Sequence, residues 1–386
     1  MGKKGKVLIT DANYKHTLGA IRSLRKSGFS VDAISEKVSL ARCSRYLEKV
    51  SFRDSNFNEP EIDIFTNFLK KSNYDVLLPI GAKSVLFTAK YKELFEKYVK
   101  IPFPSYDKVS FCLDKYKMKN IYSSIGLHVP KSWSFNSSNE LKNNIDDIEY
   151  PVVIKGRNEI FKKNPEYASN HDSILKILNS WQSKLDIKNL SEIIIEKRII
   201  GDGYGFFALY RHGKCMRFFM HKRIREFPIT GGPSTCAESV YNEDLLDHGK
   251  KLLDYIKWHG VAMVEFKRDN LTKDFYVIET NPKFWGSLDL AIECGVDFPT
   301  LAVEMAMGSD FDIKKDYKIG VKYHWPLNGE LLHLINQPRS FFSIIKDLFD
   351  PKVKSNIILT DPLPILLSVL KEIKLLIIYV KSILFS

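Results

Sequence analysis

The chain has 386 residues, of which 44% are hydrophobic and 27% are charged. This length and composition predict two or three folded domains and exclude a chain that is disordered throughout. Lysine and arginine exceed aspartate and glutamate by 58 to 46, which gives a formal net charge of +12. Because the basic residues are scattered rather than arranged in a stripe, the excess favours small anionic ligands, and we expect no nucleic-acid partner.

Over the first hundred residues, short apolar runs alternate with helical patterns. Strands are predicted at 7–10, 31–34, 50–52 and 76–78, and helices at 17–26 and 62–71. Such alternation predicts a parallel sheet covered on both faces, and so a small doubly wound α/β domain over residues 1–105. Asp11-Ala12-Asn13 follows the first strand in place of G-x-G-x-x-G, which argues against a dinucleotide-binding domain.

A stiff connector, Ile101-Pro102-Phe103-Pro104, precedes a part of different style. A helix is predicted from 106 to about 124, another ending near 185 and a third at 243–258, with strands at 151–155, 192–196, 206–211, 214–225, 261–266 and 275–280. Several of these strands follow one another without a helix between them, which predicts an α+β domain over residues 106–310. Residues 311–386 are predicted to form a C-terminal extension.

The strands at 261–266 and 275–281 are joined by a polar turn, so a hairpin would bring Glu265 opposite, or nearly opposite, Glu279. Side chains alternate along a strand, and Asn281 therefore shares the face of Glu279. The other face is expected to hold Val264, Phe266, Tyr276 and Ile278. Two facing carboxylates repel each other, and an all-oxygen set with Asn281 suits Mg²⁺ or Mn²⁺. On spacing alone, a hairpin whose polar face meets water is the slightly favoured alternative.

Other charged residues are candidates for binding a nucleotide. Lys155 ends an apolar strand, where its ammonium group either contacts an anion or extends into solvent. Lys115 follows Asp114 on an amphipathic helix, where a solvated surface lysine is the commoner alternative. Glu196 ends an apolar strand and leads into an irregular connector, an arrangement that offers an acceptor and backbone groups to adenine.

Three basic residues, His221, Arg223 and Arg225, alternate along one predicted strand and are expected to share a face. Three basic groups on one face favour an anionic ligand. The Gly231-Gly232 pair that follows would let the backbone approach such a ligand closely. The alternative is a solvated strand followed by a turn.

With these segments in this order, the chain resembles the ATP-grasp superfamily, and especially its carbamoyl-phosphate-synthase-like and biotin-carboxylase-like carboxylate–amine (or thiol) ligases. The specific similarity lies in Val261-Ala262-Met263-Val264-Glu265-Phe266 and Val277-Ile278-Glu279-Thr280-Asn281-Pro282-Lys283, which correspond to the family's two acidic metal strands, the second reading E-x-N-P-R. The similarity extends more loosely from Val7 to about Gly308. It implies a pre-ATP-grasp domain over residues 1–105, followed by an ATP-grasp fold with an ATP cleft between two α+β subdomains.

The resemblance also implies roles for individual residues. The metal ligands would be Glu265, Glu279 and Asn281, holding two Mg²⁺ (or Mn²⁺) ions that bridge the phosphates of ATP. Lys115 and Lys155 would contact those phosphates. The adenine would be edged by Glu196, Lys197 and Ile199.

Arg223, Arg225 and Lys283 are the candidates for holding a substrate carboxylate and its acyl phosphate. Lys283 stands where the family usually has arginine, and a lysine cannot form the same bidentate clamp. The loop at 156–163 lacks the glycine-rich lid of many members, and its basic residues are the expected replacement.

The implied reaction is the ATP-dependent joining of a small-molecule carboxylate to an amine (or thiol), with release of ADP and phosphate. The alternative is a non-catalytic ATP-binding or regulatory protein, which the departures at Lys283 and in the loop favour. A basic nucleic-acid-binding protein is a more distant third. The five cysteines show no C-x-x-C spacing and no signal peptide is apparent, so we expect a cytoplasmic protein.

The C-terminal segment, 363–386, is strongly apolar but carries Lys371, Glu372, Lys374 and Lys381. These charges argue against a membrane span. On a helical wheel the lysines cluster on one side, opposite Ile365, Leu366, Leu376, Val380, Ile383 and Leu384. We expect either an amphipathic helix lying on an anionic membrane, at the inner face of the cell membrane, or a helix packed on the protein or in a homodimer interface.

Overall fold

The structure is a computed structural model that describes residues 4–35, 39–53, 57–158, 163–185, 189–309 and 316–384. The chain divides into two compact units. The first unit comprises Met1–Tyr106, Tyr204–Met263 and Pro282–Ser386, and the second comprises Asp107–Gly203 and Val264–Asn281. The division into residues 1–105, 106–310 and 311–386 stays a prediction.

A parallel sheet opens the first unit. Its elements are β1 (Lys6–Ile9), α1 (Lys15–Lys26), β2 (Ser30–Ser35), β3 (Lys49–Arg53), α2 (Ile62–Lys70), β4 (Val76–Leu78), α3 (Ala82–Lys90) and α4 (Lys92–Phe95). The strands lie in the order β3-β2-β1-β4 and all pair in parallel. Val7, Leu8 and Ile9 of the central strand β1 are fully buried. The predicted α/β sheet is confirmed.

The second unit begins with two helices and a small sheet. Its elements are α5 (Tyr106–Leu113), α6 (Lys115–Ser124), β5 (Ser132–Trp133), α7 (Ser138–Asn143), β6 (Val152–Gly156), β7 (Glu166–Ala168), α8 (His171–Leu185) and β8 (Ile193–Lys197). The strands pair antiparallel in the order β5-β8-β6-β7. Ile174 and Trp181 of α8 share a buried core with Ile154 and Ile195 of the sheet.

Asp114 divides what the sequence predicted as one helix from 106 to about 124. Its carboxylate accepts hydrogen bonds from the backbone N–H groups of Tyr116 (3.1 Å) and Lys117 (3.2 Å). An aspartate in this N-cap position satisfies N–H groups that have no partner within the helix. The single helix was therefore wrong, because Asp114 starts a new helix, α6, directly after α5.

The remaining elements complete the chain. They are β9 (Gly201–Arg211), β10 (Lys214–Glu226), β11 (Ser234–Ser239), α9 (Glu243–Tyr255), β12 (Gly260–Asp269), β13 (Phe275–Asn281), α10 (Leu288–Glu293), α11 (Phe298–Ala306), β14 (Lys322–His324), α12 (Leu331–Asn336), α13 (Phe341–Phe349), β15 (Lys354–Ser355) and α14 (Pro362–Leu384). Seven strands form one sheet in the order β13-β12-β9-β10-β11-β14-β15. Strand β11 was not predicted, since its sequence Ser-Thr-Cys-Ala-Glu-Ser lacks large β-branched or aromatic side chains.

Helix α14 covers most of the apolar C-terminal segment. It is buried along one edge by Pro364, Ser368 and Glu372, whereas the predicted apolar residues Ile365 and Leu376 are half-buried and Leu366 is exposed. The side chains of Val380, Lys381, Ile383 and Leu384, also part of that prediction, lie outside the described residues. Nowhere in the described part of the chain does a helix have the length and apolar character needed to cross a membrane.

Candidate active site

Strand β13 and helix α6 of the second unit bring three of the predicted site residues together. Lys115 Nζ lies 2.8 Å from Glu279 Oε2, and Asn281 Nδ2 donates a hydrogen bond of 2.9 Å to Glu279 Oε1. Burial raises the pKa of Glu279, but the charges of Lys115 and Lys155 and the two hydrogen bonds lower this pKa far more. The carboxylate is therefore ionised at neutral pH.

Asn281 adds a buried oxygen to this cluster. The residue is 4% exposed, and its Oδ1 has no hydrogen-bond partner among the residues that the structure describes. A buried acceptor without a partner costs about 1–3 kcal/mol, and such atoms call for an explanation. An ionised carboxylate beside an amide oxygen is the donor chemistry that hard cations bind. These residues fit Mg²⁺ or Mn²⁺.

Glu265, the third predicted ligand, is half-buried on β12, the strand next to β13. Within the described ranges, no three His, Cys, Asp or Glu residues cluster in a way that could hold a metal ion. A metal site here therefore depends on two carboxylates and one amide. The roles of Glu265, Glu279 and Asn281 as metal ligands stay a prediction.

The apolar residues predicted for one face of the strand pair β12 and β13 are correct on β12 but wrong on β13. Val264 and Phe266 are fully buried, as expected, but Tyr276 and Ile278 are only half-buried. Phe275 and Val277 are buried instead. The rings of Phe266 and Phe275 meet edge to face, with 6.2 Å between their centroids. Phe275, the first residue of β13, therefore packs against Phe266 in place of Tyr276.

An ion pair that the sequence did not indicate holds Lys115 in place. Arg157 donates two hydrogen bonds of 2.9 Å to Asp114, from Nε to Oδ1 and from Nη2 to Oδ2, and its carbonyl accepts a 3.0 Å bond from the backbone N–H of Lys115. Burial raises the pKa of Asp114, but these contacts and the Lys117 N–H lower it below its usual value. A bidentate pair is geometrically specific, so it fixes the start of α6 against the end of β6.

Lys155, on β6, belongs to a buried triad of charges. Its Nζ lies 2.6 Å from Glu196 Oε2, and Lys119 Nζ lies 2.7 Å from Glu196 Oε1. The three residues are only 3–5% exposed. Burial raises the pKa of Glu196, but the two lysines lower it below its usual value, whereas burial lowers the pKa of Lys119 to about 8. Lys119 was missed, although its spacing of four from Lys115 places both on one face of α6.

The residues predicted to edge adenine lie where β8 ends. Lys197 donates from Nζ to the carbonyl of Tyr150 at 3.1 Å, and its backbone N–H bonds to the carbonyl of Lys131 at 2.8 Å. Ile199 is half-buried. Each oxygen of the Glu196 carboxylate can accept two hydrogen bonds, so its lysine contacts leave acceptor capacity. Adenine binding by Glu196, Lys197 and Ile199 stays a prediction.

In the first unit, a β-bulge separates two of the predicted carboxylate-binding residues. On β10, Arg223 pairs with Ala237 of β11, but Arg225 pairs with Cys236. Directly opposed residues share a face, and adjacent residues such as Cys236 and Ala237 lie on opposite faces. The expectation that Arg223 and Arg225 share a face was therefore wrong, because the bulge breaks the alternation.

Arg225 is already paired with carboxylates of the C-terminal region. It donates from Nε to Glu330 at 2.8 Å and from Nη1 to Asp347 at 2.7 Å, and all three side chains are buried. Lys322 adds a second cation 2.9 Å from Asp347, and His324 lies 3.0 Å from Glu330. Arg225 thus belongs to a buried ionic network that fastens β10.

Arg223 and Lys283 have different surroundings. Arg223 Nη1 lies 3.4 Å from the carbonyl oxygen of Gly232, in the turn that follows β10. A side chain at Gly232 would meet the Phe227 carbonyl oxygen at 2.0 Å, so this glycine is needed by the turn itself and not only by a ligand. Lys283 is half-buried, and burial together with the charges of Lys283 and Lys15 lowers the pKa of His16 to about 3.

A family model described as "carbamoyl-phosphate synthase L chain, ATP binding domain" matches residues 114–314, which is more than half of the chain. The chain belongs to this ATP-grasp family. The matched region contains all the predicted site residues, from Lys115 to Lys283. The matched region includes the loop at 156–163, which was predicted to lack a glycine-rich lid. Residues 159–162 of this loop lie outside the described residues.

One curated relative of this ATP-grasp chain is the N-terminal section of the carbamoyl phosphate synthase large chain of Aquifex aeolicus (strain VF5). It is 24% identical over 316 residues, which cover 77% of this chain and 55% of the relative. The chain thus spans about half the length of that relative.

Two solved structures are similar in fold. The complex of biotin carboxylase with β-γ-ATP from Campylobacter jejuni has a TM-score of 0.66 at 17% identity, over 82% of this chain and 74% of that one. The biotin carboxylase domain dimer of 2-oxoglutarate carboxylase from Hydrogenobacter thermophilus, crystallised with MgADP, ADP and bicarbonate, has a TM-score of 0.65 at 16% identity, over 82% and 73% of the two chains. The predicted fold class is confirmed.

Proposed function

We propose that the protein is an ATP-dependent ligase that activates a carboxylate as an acyl phosphate and joins it to an amine (or a thiol). The observation that carries the proposal is the meeting of Lys115, Glu279 and Asn281, in which a buried amide oxygen has no partner among the described residues. An ionised carboxylate, an amide oxygen and lysines are what a protein uses to bind a metal-complexed polyphosphate. Membership of an ATP-binding family supports the same assignment.

In the proposed complex, Lys115 and Lys155 bind the phosphates of ATP. Glu265, Glu279 and Asn281 hold Mg²⁺ or Mn²⁺, and we propose two ions. A divalent cation there would neutralise charge on the transferred phosphoryl group. With a cation on its oxygens, Glu279 would attract Lys115 less, and the Lys115 ammonium would be able to bind the phosphates. The Hydrogenobacter protein of similar fold was crystallised with MgADP, which supports a magnesium–nucleotide complex as the ligand.

Adenine is proposed to lie beside Glu196, Lys197 and Ile199, at the end of β8. Glu196 has a second task there, because its carboxylate is the counter-charge of both Lys119 and Lys155. Without the Glu196 carboxylate, the Lys155 ammonium would lose the ion pair that orients it in the absence of ATP. Glu196 therefore positions one of the phosphate-binding lysines.

The substrate carboxylate and its acyl phosphate are proposed to be held by Arg223 and Lys283. Arg225 is proposed as a positioning residue instead, since Glu330 and Asp347 already occupy its guanidinium group. It anchors β10 two residues after Arg223. The partners are thus a small-molecule carboxylate and a small-molecule amine.

The test is ADP release with MgATP across pairs of carboxylates and amines or thiols. We expect release that requires both members of one pair, that is abolished in Glu279→Gln and that is unchanged in Glu243→Gln, a control on the exposed first turn of α9. Release without any substrate, or activity that survives in Glu279→Gln, would contradict the proposal. ATP binding with no productive pair would instead favour the non-catalytic alternative, which the lysine at position 283 suggests.

A further inference from the structure

Helix α13 is turned with its acidic residue inward and most of its apolar residues outward, beside the exposed Lys346. Asp347 is buried and contacts Arg225 and Lys322. The solvent-exposed apolar side chains of this helix are Phe341, Phe342, Ile345, Leu348 and Phe349. Phe342 and Phe349 are 82% and 78% exposed, and their spacing of seven places them on one face. A surface helix normally has the opposite orientation.

Helix α14 likewise has its acidic residue inward and an exposed apolar stripe, with Lys371 and Lys374 also exposed. Its buried edge holds Ser368 and Glu372, and Glu372 Oε1 accepts a 3.0 Å hydrogen bond from the backbone N–H of Gly329. The outward stripe consists of Leu363, Leu366, Leu370, Ile373 and Ile377, each at least half exposed. Their spacing of three or four residues places them on one side of the helix. We call this stripe and the exposed apolar residues of α13 the C-terminal apolar surface.

The exposed apolar residues are concentrated in this region. Of the 26 large apolar side chains that are exposed in the described part of the chain, fifteen lie between Leu331 and Ile378. Single exposed apolar residues are normal on protein surfaces, but apolar residues that line one face of a helix mark a site of interaction with a protein or a membrane. The C-terminal apolar surface therefore needs a partner.

The charges of the same region indicate which partner. From residue 331 to 379, the acidic residues Asp347, Asp350, Asp361 and Glu372 are all buried or half-buried. The exposed charged residues in that range are all basic: Arg339, Lys346, Lys352, Lys354, Lys371 and Lys374. The region thus combines outward apolar side chains with a purely positive rim, which complements an anionic lipid surface.

We propose that the C-terminal apolar surface binds the face of an anionic lipid membrane. Lys371, Glu372 and Lys374 lie in the middle of α14, where they oppose a transmembrane position and favour a helix lying in the plane of the interface. A second copy of the chain fits less well, since a two-fold interface would bring the positive rims of both copies together. The apolar side chains enter the lipid interface, and the lysines meet the headgroups.

The test is flotation of the full-length protein with lipid vesicles. Vesicles of phosphatidylcholine alone are compared with vesicles that also contain phosphatidylglycerol, at low and at high salt. Two variants probe the surface, one with Leu366→Ser, Leu370→Ser and Ile373→Ser and the other with Phe342→Ser and Phe349→Ser. The control is Leu271→Ser, which changes a side chain that is 92% exposed in a distant part of the sequence. All these positions are exposed, so each variant is expected to fold, and circular dichroism checks this.

We expect wild-type protein to bind the anionic vesicles, with binding that weakens in high salt or on neutral vesicles. Each surface variant is expected to lose at least tenfold in partition coefficient, and Leu271→Ser to lose less than twofold. Lys371→Gln with Lys374→Gln should weaken binding to anionic vesicles only. Absence of vesicle binding, or binding that the surface variants do not change, would overturn the proposal. So would a dimer, detected by light scattering, that the same variants dissociate.

Discussion

The buried triad of Lys119, Lys155 and Glu196 makes a quantitative prediction about stability. Glu196→Gln would leave two ammonium groups buried, at positions now 2.7 and 2.6 Å from carboxylate oxygens. Each contact has a Coulomb energy of roughly 6 kcal/mol at an effective dielectric constant of about 20, before desolvation is subtracted. Breaking a buried pair by removing one partner typically costs about 3–5 kcal/mol. We expect Glu196→Gln to lower the free energy of unfolding by about that amount.

Lys119→Met is the matched comparison, because it leaves Glu196 and Lys155 as a neutral pair. No charge is left without a counter-charge, and burial already disfavours the charged form of Lys119, so we expect a change within about 1 kcal/mol. Urea denaturation followed by tryptophan fluorescence measures both variants, since Trp133 and Trp181 lie in the same unit. The folded-state pKa of Glu196 is lowered, so its contribution is complete above pH 4.5 and is lost as the pH falls through the lower folded-state pKa. Equal stability of Glu196→Gln and wild type, or an equal loss in both variants, would refute the reasoning.

Three further predictions follow from other contacts. Arg225→Met should lower the free energy of unfolding, measured by urea denaturation, by about 3–5 kcal/mol, because Glu330 and Asp347 would lose their shared partner. The control Arg223→Met should lower it by less than half of that amount. Equal losses of stability in the two variants would contradict the ionic network. The pKa of Lys119 is about 8 in the folded protein and 10.5 in the unfolded chain, so the folded protein loses this proton first and becomes more stable as the pH rises from 8 to 10.5. Thermal denaturation of Lys119→Met over this pH range should lack this part of the rise. Asp114→Ala should lower the free energy of unfolding by about 1–2 kcal/mol in urea denaturation, because the helix cap is lost. Asp114→Asn should lower it by less, since asparagine also caps helices. A larger loss of stability in Asp114→Asn than in Asp114→Ala would argue against the cap.

Local patterns were enough to predict the central elements of the site. Alternating apolar residues placed Glu279 and Asn281 on one strand, and the family resemblance added Lys115 from a distant helix. The structure joins these three directly. What made this possible is that each residue belongs to a short motif that can be read without knowing its neighbours in space.

The residues that were missed, or misjudged, depend on long-range pairing. Arg157 contacts Asp114, 43 positions earlier, and Lys119 contacts Glu196, 77 positions later. Neither partner can be inferred from spacing along one element. The bulge at Arg225 is defined by the pairing of β10 with β11, a strand of small and polar residues that was not predicted. Arg225 contacts Glu330 and Asp347, which lie in the C-terminal extension, where the sequence showed no chemical motif.

The central claim, that Glu279 and Asn281 hold a divalent cation for a bound nucleotide, is tested most directly by Mn²⁺ binding. Electron paramagnetic resonance counts free Mn²⁺ in the presence of a non-hydrolysable ATP analogue, independently of any turnover. We predict that Glu279→Gln and Asn281→Ala each weaken Mn²⁺ binding at least tenfold, whereas Glu243→Gln binds as wild type does. Equal affinity in all four proteins would contradict the account.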